Sequence, residues 1–197
     1  FPRGASSVCF DHVARSSITS NRLHSFYPGM IELRGNCSEN LIASNHLLRD
    51  HEPWPPMQAH DNGLDDLYGL VYVNGNDNSI LANHISEVME GQFIKPEGAR
   101  PVMIHVVSGK GNYISNNHIT ASAGAAEEPD AETDSCFARQ VDALLTVGKL
   151  KELPVVTVLV EKEAVGNTVL DTGSEEQVVM DRKANAFRAA PVPGIVS

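Results

Sequence analysis

The chain has 197 residues, with fifteen Lys and Arg against twenty-five Asp and Glu, a formal net charge of −10. That length suffices for one substantial core. The charge balance opposes a nucleic-acid partner, whose phosphates need clustered Lys and Arg, but leaves a neutral ligand such as a sugar open. No apolar run approaches the roughly 20 residues of a bilayer-spanning helix, so no membrane is expected among the partners either.

The chain opens FPRGASSVCF, without Met and without a charged-then-apolar leader, which reads as a processed product or a fragment. Cys9, Cys37 and Cys136 lie far apart and match no metal spacing, so they are expected to be ordinary thiols. From residue 16 onward one phrase recurs, N-x-I-x-x-N-H-[LI]. A weak copy is SSITSNRL (16–23); NLIASNHL (40–47), NSILANHI (78–85) and NYISNNHI (112–119) are full copies, and GNTVLDTG (166–173) is a worn one.

A short alternating apolar run with a Gly-containing turn precedes each later copy: MIELRGN (30–36), LVYVNGN (70–76), MIHVVSGKGN (103–112) and VVTVLVEKEAVGN (155–167). Period-two alternation is the signature of strand, and a strand–turn–strand unit repeated along a chain is the signature of a solenoid. The expected fold is therefore all-β, a parallel β-helix whose coils stack at the interstrand distance. Ile42, Ile80 and Ile114 should stack inside, as should Leu47, Ile85 and Ile119. Asn45, Asn83 and Asn117 should form an asparagine ladder at one corner, where Asn also tolerates left-handed backbone. His46, His84 and His118 would then form a line, whereas a metal needs converging ligands; no metal site is expected.

The spacing between copies locates insertions at residues 47–70 and 86–101. An acidic, Ala-rich stretch at 121–134 reads as a mobile loop. A short helix is expected near residues 135–152, with Thr133 or Asp134 as its N-cap. The tail AFRAAPVPGIVS should lie extended on the surface. All 197 residues are assigned to a single β-helix domain.

Function in solenoids sits on long loops or along one face. The first insertion offers Arg49, Glu52, Trp54, Asp65 and Asp66, with the only Trp of the chain held in PWPP. An aromatic face beside carboxylates and Arg suits a sugar ring, although Trp54 could equally pack the loop onto the coil. Asp65 and Asp66 would point to opposite sides of a strand, so a proton shared between them is not expected. A second candidate is NRLHSFYPGM (21–30), with His24 and Tyr27 beside a Pro-Gly turn. There is no G-x-S-x-G, no phosphate-binding GxxxxGK[ST], no H-E-x-x-H and no paired CxxC, which leaves carboxylate acid/base chemistry, a chemistry with no short signature.

Taken together, NRLHSFYPGM, SENLIASNH, EPWPP, NGLDDLYGL, SGKGNYISNNHI, TVLVEK…NTVLDTGS and NAFRAAP resemble the difructose-anhydride-forming inulin fructotransferases, over residues 16 to 191. The resemblance implies a right-handed parallel β-helix, a secreted homotrimer with active sites between subunits, and no metal or organic cofactor. It implies a lyase acting on inulin, a β-2,1-fructan, in which a hydroxyl of the neighbouring fructose attacks the anomeric carbon. A difructose dianhydride, III or I, is released. Family members are about twice this length, so the chain is expected to be the C-terminal part of a longer β-helix. The catalytic carboxylate pair matches no motif here and is expected upstream of Phe1, leaving Arg49, Glu52, Trp54, Asp65, Asp66, His24 and Tyr27 as substrate contacts and the isolated chain inactive. Two alternatives stand beside this reading: another carbohydrate-active β-helix, and a non-catalytic glycan-binding or trimerising one.

Overall fold

The computed structural model describes residues 7–25, 29–50, 69–90, 102–125, 151–152 and 155–190. Each turn of the chain lays down three strands. The first turn contributes β1 (Val8–Asp11), β2 (Ser17–Thr19) and β3 (Arg22–Ser25). The second contributes β4 (Ile31–Ser38), β5 (Leu41–Ala43) and β6 (His46–Asp50), and the third β7 (Val71–Asn76), β8 (Ser79–Leu81) and β9 (His84–Glu90). The fourth consists of β10 (Val102–Lys110), β11 (Tyr113–Ser115) and β12 (His118–Ala125). After β13 (Lys151–Glu152) come β14 (Val156–Val160), β15 (Ala164–Val165) and β16 (Thr168–Leu170), then β17 (Val178–Val179) and β18 (Ala186–Arg188).

Corresponding strands of successive turns pair in parallel. The first sheet runs β1-β4-β7-β10-β14-β17, with β15 also on β10; the second runs β2-β5-β8-β11-β16-β18; the third runs β3-β6-β9-β12-β13. The architecture is a right-handed parallel β-helix. Apolar residues stack because the register places like on like. Ile18, Ile42, Ile80, Ile114, Val169 and Phe187 form one inner column. Leu23, Leu47, Ile85 and Ile119 form a second, and Ile31, Val71, Ile104, Val158 and Val178 a third. Most of these side chains are fully buried, and each aliphatic side chain removed from water stabilises the stack by about 1.5–3 kcal/mol.

Two asparagine ladders join the corners. The expected one runs Asn21, Asn45, Asn83, Asn117 and ends on Thr172, which substitutes its hydroxyl for an amide. A second, formed by the first Asn of each phrase, runs Asn40, Asn78, Asn112, Asn167. Along both, the side-chain oxygen accepts from the backbone N–H and the amide of the Asn one turn earlier, while the amide also reaches a backbone carbonyl of that earlier turn. The ladder asparagines do not themselves occupy the left-handed region, contrary to expectation. The residue before each does: Ser20, Ser44, Ala82 and Asn116 have φ of 59°, 56°, 50° and 54°. The corner needs that residue to reverse the chain so that the next side chain points inward.

Ala82 has the wrong chemistry for this position, since a Cβ crowds the backbone at positive φ. Ala82→Gly is expected to raise stability by about 1 kcal/mol, a rise of roughly 2–4 °C in thermal midpoint for a chain of this size. An unchanged or lowered midpoint would show that the corner relaxes around Ala82. Gly75 shows the opposite constraint: a Cβ there would lie 1.8 Å from the Cys37 carbonyl oxygen of the neighbouring turn, so only glycine allows the two turns to approach.

Two expectations need correction. No helix occurs among the described residues; most of the span near 135–152 lies outside them, and its end, Lys151–Glu152, is strand β13, antiparallel to β12. Residues 121–125, expected to begin a mobile loop, continue β12, because the ladder to β9 extends through Gly124; residues 126–134 lie outside the described set. The tail, expected to lie extended on the surface, does so at its start, where Ala186–Arg188 is an edge strand beside β16 with Ala186 and Arg188 exposed; residues 191–197 lie outside the described set.

Candidate functional site

The chain leaves the third sheet at Asp50, Glu90 and Ala125, and enters the first sheet at Val71, Val102 and Val156. All three long connections are therefore rooted at the same corner of the coil, because the strands on both sides of it are in register. Of the residues singled out from sequence, Arg49 and His24 fall on described strands beside this corner. Glu52, Trp54, Asp65, Asp66 and Tyr27 lie outside the described residues.

Just past the corner, on the outer face of the first sheet, a polar row crosses the strands. Glu32 on β4 is in register with Tyr72 on β7, and Tyr72 with His105 on β10. The Tyr72 and His105 rings meet edge to face with centroids 5.9 Å apart. His105 Nε2 lies 3.1 Å from Glu161 Oε1. Glu32 is 7% exposed and ion-paired with Arg34, although the pair lacks hydrogen-bond geometry at Glu32 Oε2. Among the described residues, Glu32 Oε2 and His105 Nδ1 are buried atoms without a hydrogen-bond partner. Gly69 keeps the row tight, since a Cβ there would lie 2.7 Å from His105 Cβ.

This arrangement has the parts that handle a sugar: an aromatic ring between a carboxylate and a carboxylate-bound imidazole. A carboxylate only accepts, so His105 Nε2 is the donor to Glu161 and this bond holds the ring in place, while Nδ1 is buried. Sequence reading missed Glu32, Tyr72, His105 and Glu161, yet the signal was present. In the runs MIELRGN, LVYVNGN and MIHVVSGKGN the third residue is Glu, Tyr and His. Aligning the runs on their first residues, Met30, Leu70 and Met103, places those three outward residues side by side, whereas their distances to the following phrase differ because bulges intervene.

Beneath the corner, Arg49 on β6 faces Glu87 on β9. The guanidinium binds the carboxylate through Nε to Oε1 and Nη2 to Oε2, both at 2.7 Å, and the residues are only 2% and 1% exposed. Burial pushes the Glu87 carboxyl above its ordinary range, and Arg49 pulls against that shift. Arg49 was expected to touch substrate; its guanidinium is instead engaged inside the coil, where it ties together the two strands from which the first two insertions depart. Glu87 was not recognised from sequence.

The β-helix repeat of inulin fructotransferase matches residues 44–191. An inulin fructotransferase (DFA-I-forming) of Arthrobacter globiformis is 39% identical over 129 residues, covering 66% of this chain and 32% of that protein. The crystal structure of DFA-IIIase from Arthrobacter chlorophenolicus A6 in complex with GF2 is 55% identical with a TM-score of 0.75, covering 97% of this chain and 43% of the other. The same enzyme in complex with DFA-III is 54% identical with a TM-score of 0.75, covering 98% and 42%. The chain thus spans less than half the length of these relatives.

Proposed function

Given that the chain belongs to the inulin fructotransferase β-helix repeat family, we propose that it is the C-terminal part of an inulin fructotransferase. The enzyme would release the terminal difructosyl unit of inulin as a difructose dianhydride. The reaction needs an acid to protonate the departing glycosidic oxygen and a base for the attacking hydroxyl. Because the nucleophile belongs to the substrate, most of the protein's task is to hold two rings in attack geometry and keep water out. The polar row Glu32–Tyr72–His105–Glu161 would grip sugar hydroxyls, and Glu52, Trp54, Asp65, Asp66, His24 and Tyr27 are further proposed contacts. The essential carboxylate pair is assigned to a part of the protein preceding this chain. The active protein would be a secreted homotrimer that needs no metal.

The observation that carries this reading is likeness along nearly the whole chain, at 54–55% identity, to an enzyme crystallised with DFA-III and with GF2. The same figures, set against 39% for the DFA-I-forming relative, favour type III as the dianhydride. They also favour a second reading, in which the protein acts on DFA-III itself, as the name of that relative states.

Incubating the full-length protein with inulin and with DFA-III separately, and separating the products by chromatography, decides between them. A cyclic dimer from inulin, undiminished by chelator, is the expected result. Consumption of DFA-III with inulin left intact would support the second reading, and fructose alone would overturn both. In the same assay Glu32→Gln and His105→Asn are expected to lower kcat/KM about tenfold or more, roughly 1.4 kcal/mol of transition-state binding. Unchanged kinetics would remove the row from the site.

A further inference from the structure

The outer face of the third sheet has a composition unlike the rest of this acidic chain. Arg22, His46, His84 and His118 follow one another in register on β3, β6, β9 and β12. Two residues along, His24, Leu48, Ser86 and Thr120 form a parallel row. Alternation along the strands turns all of these outward, because Leu47 and Ile85 between them are buried. Four of the chain's eight histidines therefore share one face with an arginine. The His46 and His84 rings stack with centroids 4.7 Å apart, and His84 and His118 meet at 4.9 Å. Hydroxyls flank them: Ser86 Oγ lies 3.2 Å from His84 Nε2, and Thr120 Oγ1 3.3 Å from His118 Nε2.

We propose that this face is an acid-gated docking strip for a linear polycarboxylate, namely an acidic polysaccharide lying along the solenoid axis. Three features of the strip point to that partner. Its cationic sites repeat at the spacing of adjacent strands, and a sugar ring advances an extended polysaccharide by on the order of one such step. Its charge is weak and switchable, with Arg22 alone permanently cationic in the column; a phosphate polymer would call for Lys and Arg throughout. Its hydroxyl side chains supply hydrogen bonds that sugar hydroxyls accept and return.

The gate is the like charge that the column would carry. Burial, and then the neighbouring His46 and His118, hold the His84 imidazole below its ordinary value. His84 therefore takes up a proton less readily than a free imidazole, whose unperturbed value is about 6.5. Carboxylates laid along the column offset that repulsion, so binding and proton uptake are linked and each favours the other. Other charged residues in the strands of this sheet are few: Arg49 and Glu87 pair inside the coil, Asp50 ends β6, Glu90 ends β9, and Lys151 and Glu152 form β13 beside the far end of β12. Apart from His24, which is also a proposed fructan contact, the strip shares no residue with the proposed fructan site, and its test does not depend on inulin turnover.

Calorimetric titration of the full-length protein with sodium polygalacturonate should show binding at pH 5.5 at least tenfold tighter than at pH 7.5, with proton uptake near pH 6.5. His84→Gln should weaken the pH 5.5 binding, and the combination H46Q/H84Q/H118Q should abolish its pH dependence. Arg22→Gln should weaken binding at both pH values. Circular dichroism would establish that each variant is folded, and the single His84 variant keeps the test decisive should the triple variant not fold. Absence of binding at pH 5.5, binding that survives in the triple variant, or equal binding of duplex DNA would each overturn the assignment.

Discussion

Replacing Asn83 with Ala is expected to destabilise the fold by about 4 kcal/mol or more, and replacing Asn21 with Ala by only about 1 kcal/mol. Both residues belong to the same ladder; their positions in it differ. Asn83 sits mid-stack, 1% exposed. Its amide donates to Asn117 Oδ1 at 2.9 Å and to the Ile42 carbonyl at 3.0 Å, and its oxygen accepts from the N–H and the amide of Asn45 at 3.0 Å. Truncation leaves donors on Asn45 and acceptors on Ile42 and Asn117 short of partners inside the protein, where each orphaned group costs about 1–3 kcal/mol. Asn21 is exposed at the start of the ladder, and water replaces what it loses. Against a typical total stability of about 5–15 kcal/mol, the Asn83 loss amounts to roughly 8–16 °C in thermal midpoint. Thermal melts of the two variants measure it directly. Equal effects at the two positions would mean that the stack is held by apolar burial alone.

Breaking the buried pair should cost nearly as much. Arg49→Met is expected to destabilise by about 3–5 kcal/mol, because it strands the Glu87 carboxylate without its counter-charge. Replacing both partners, as R49M/E87L, should recover most of that loss, since two apolar side chains bear no desolvation penalty. The pH dependence has a definite sign. With Arg49 gone, nothing opposes the burial that raises the Glu87 carboxyl. A carboxyl raised above its unfolded value of about 4.5 adds stability below that value and loses it as pH climbs through the folded value. The Arg49→Met variant should therefore be closest to the parent near pH 4 and furthest from it at pH 7. Denaturant titrations at the two pH values test this; a deficit that does not change with pH would show that Glu87 finds another partner.

Much of the architecture was legible in the chain because the solenoid repeats its contacts. Ile42, Ile80 and Ile114 occupy equivalent slots in the phrase, and equivalent slots become adjacent residues once turns stack. One ladder was readable for that reason, and the other could have been, since Asn40, Asn78 and Asn112 recur just as regularly. The left-handed corner was assigned one residue late: repetition identifies a special position, but the backbone angle belongs to the neighbour that turns the chain. The first residues of the 121–134 stretch read as loop from their small, polar composition, yet strand β9 beside them supplies a ladder that composition does not record.

The candidate site was less visible. Arg49 was singled out for its charge beside an insertion, but its partner Glu87 lies 38 residues away, inside a segment whose period-two pattern gives no hint of a buried carboxylate. Glu32, Tyr72 and His105 likewise come from three different turns; each is the third residue of its run, but bulges make their spacing to the repeated phrase unequal. The sequence alone determined the coil, its inner columns, one ladder and, through its resemblance, the family. The tertiary structure decided which polar residues meet across turns and whether a charge faces solvent or a counter-ion. Periodic hydrophobicity is written locally along a strand, whereas pairing of unlike polar groups depends on the register between strands that only the folded stack establishes.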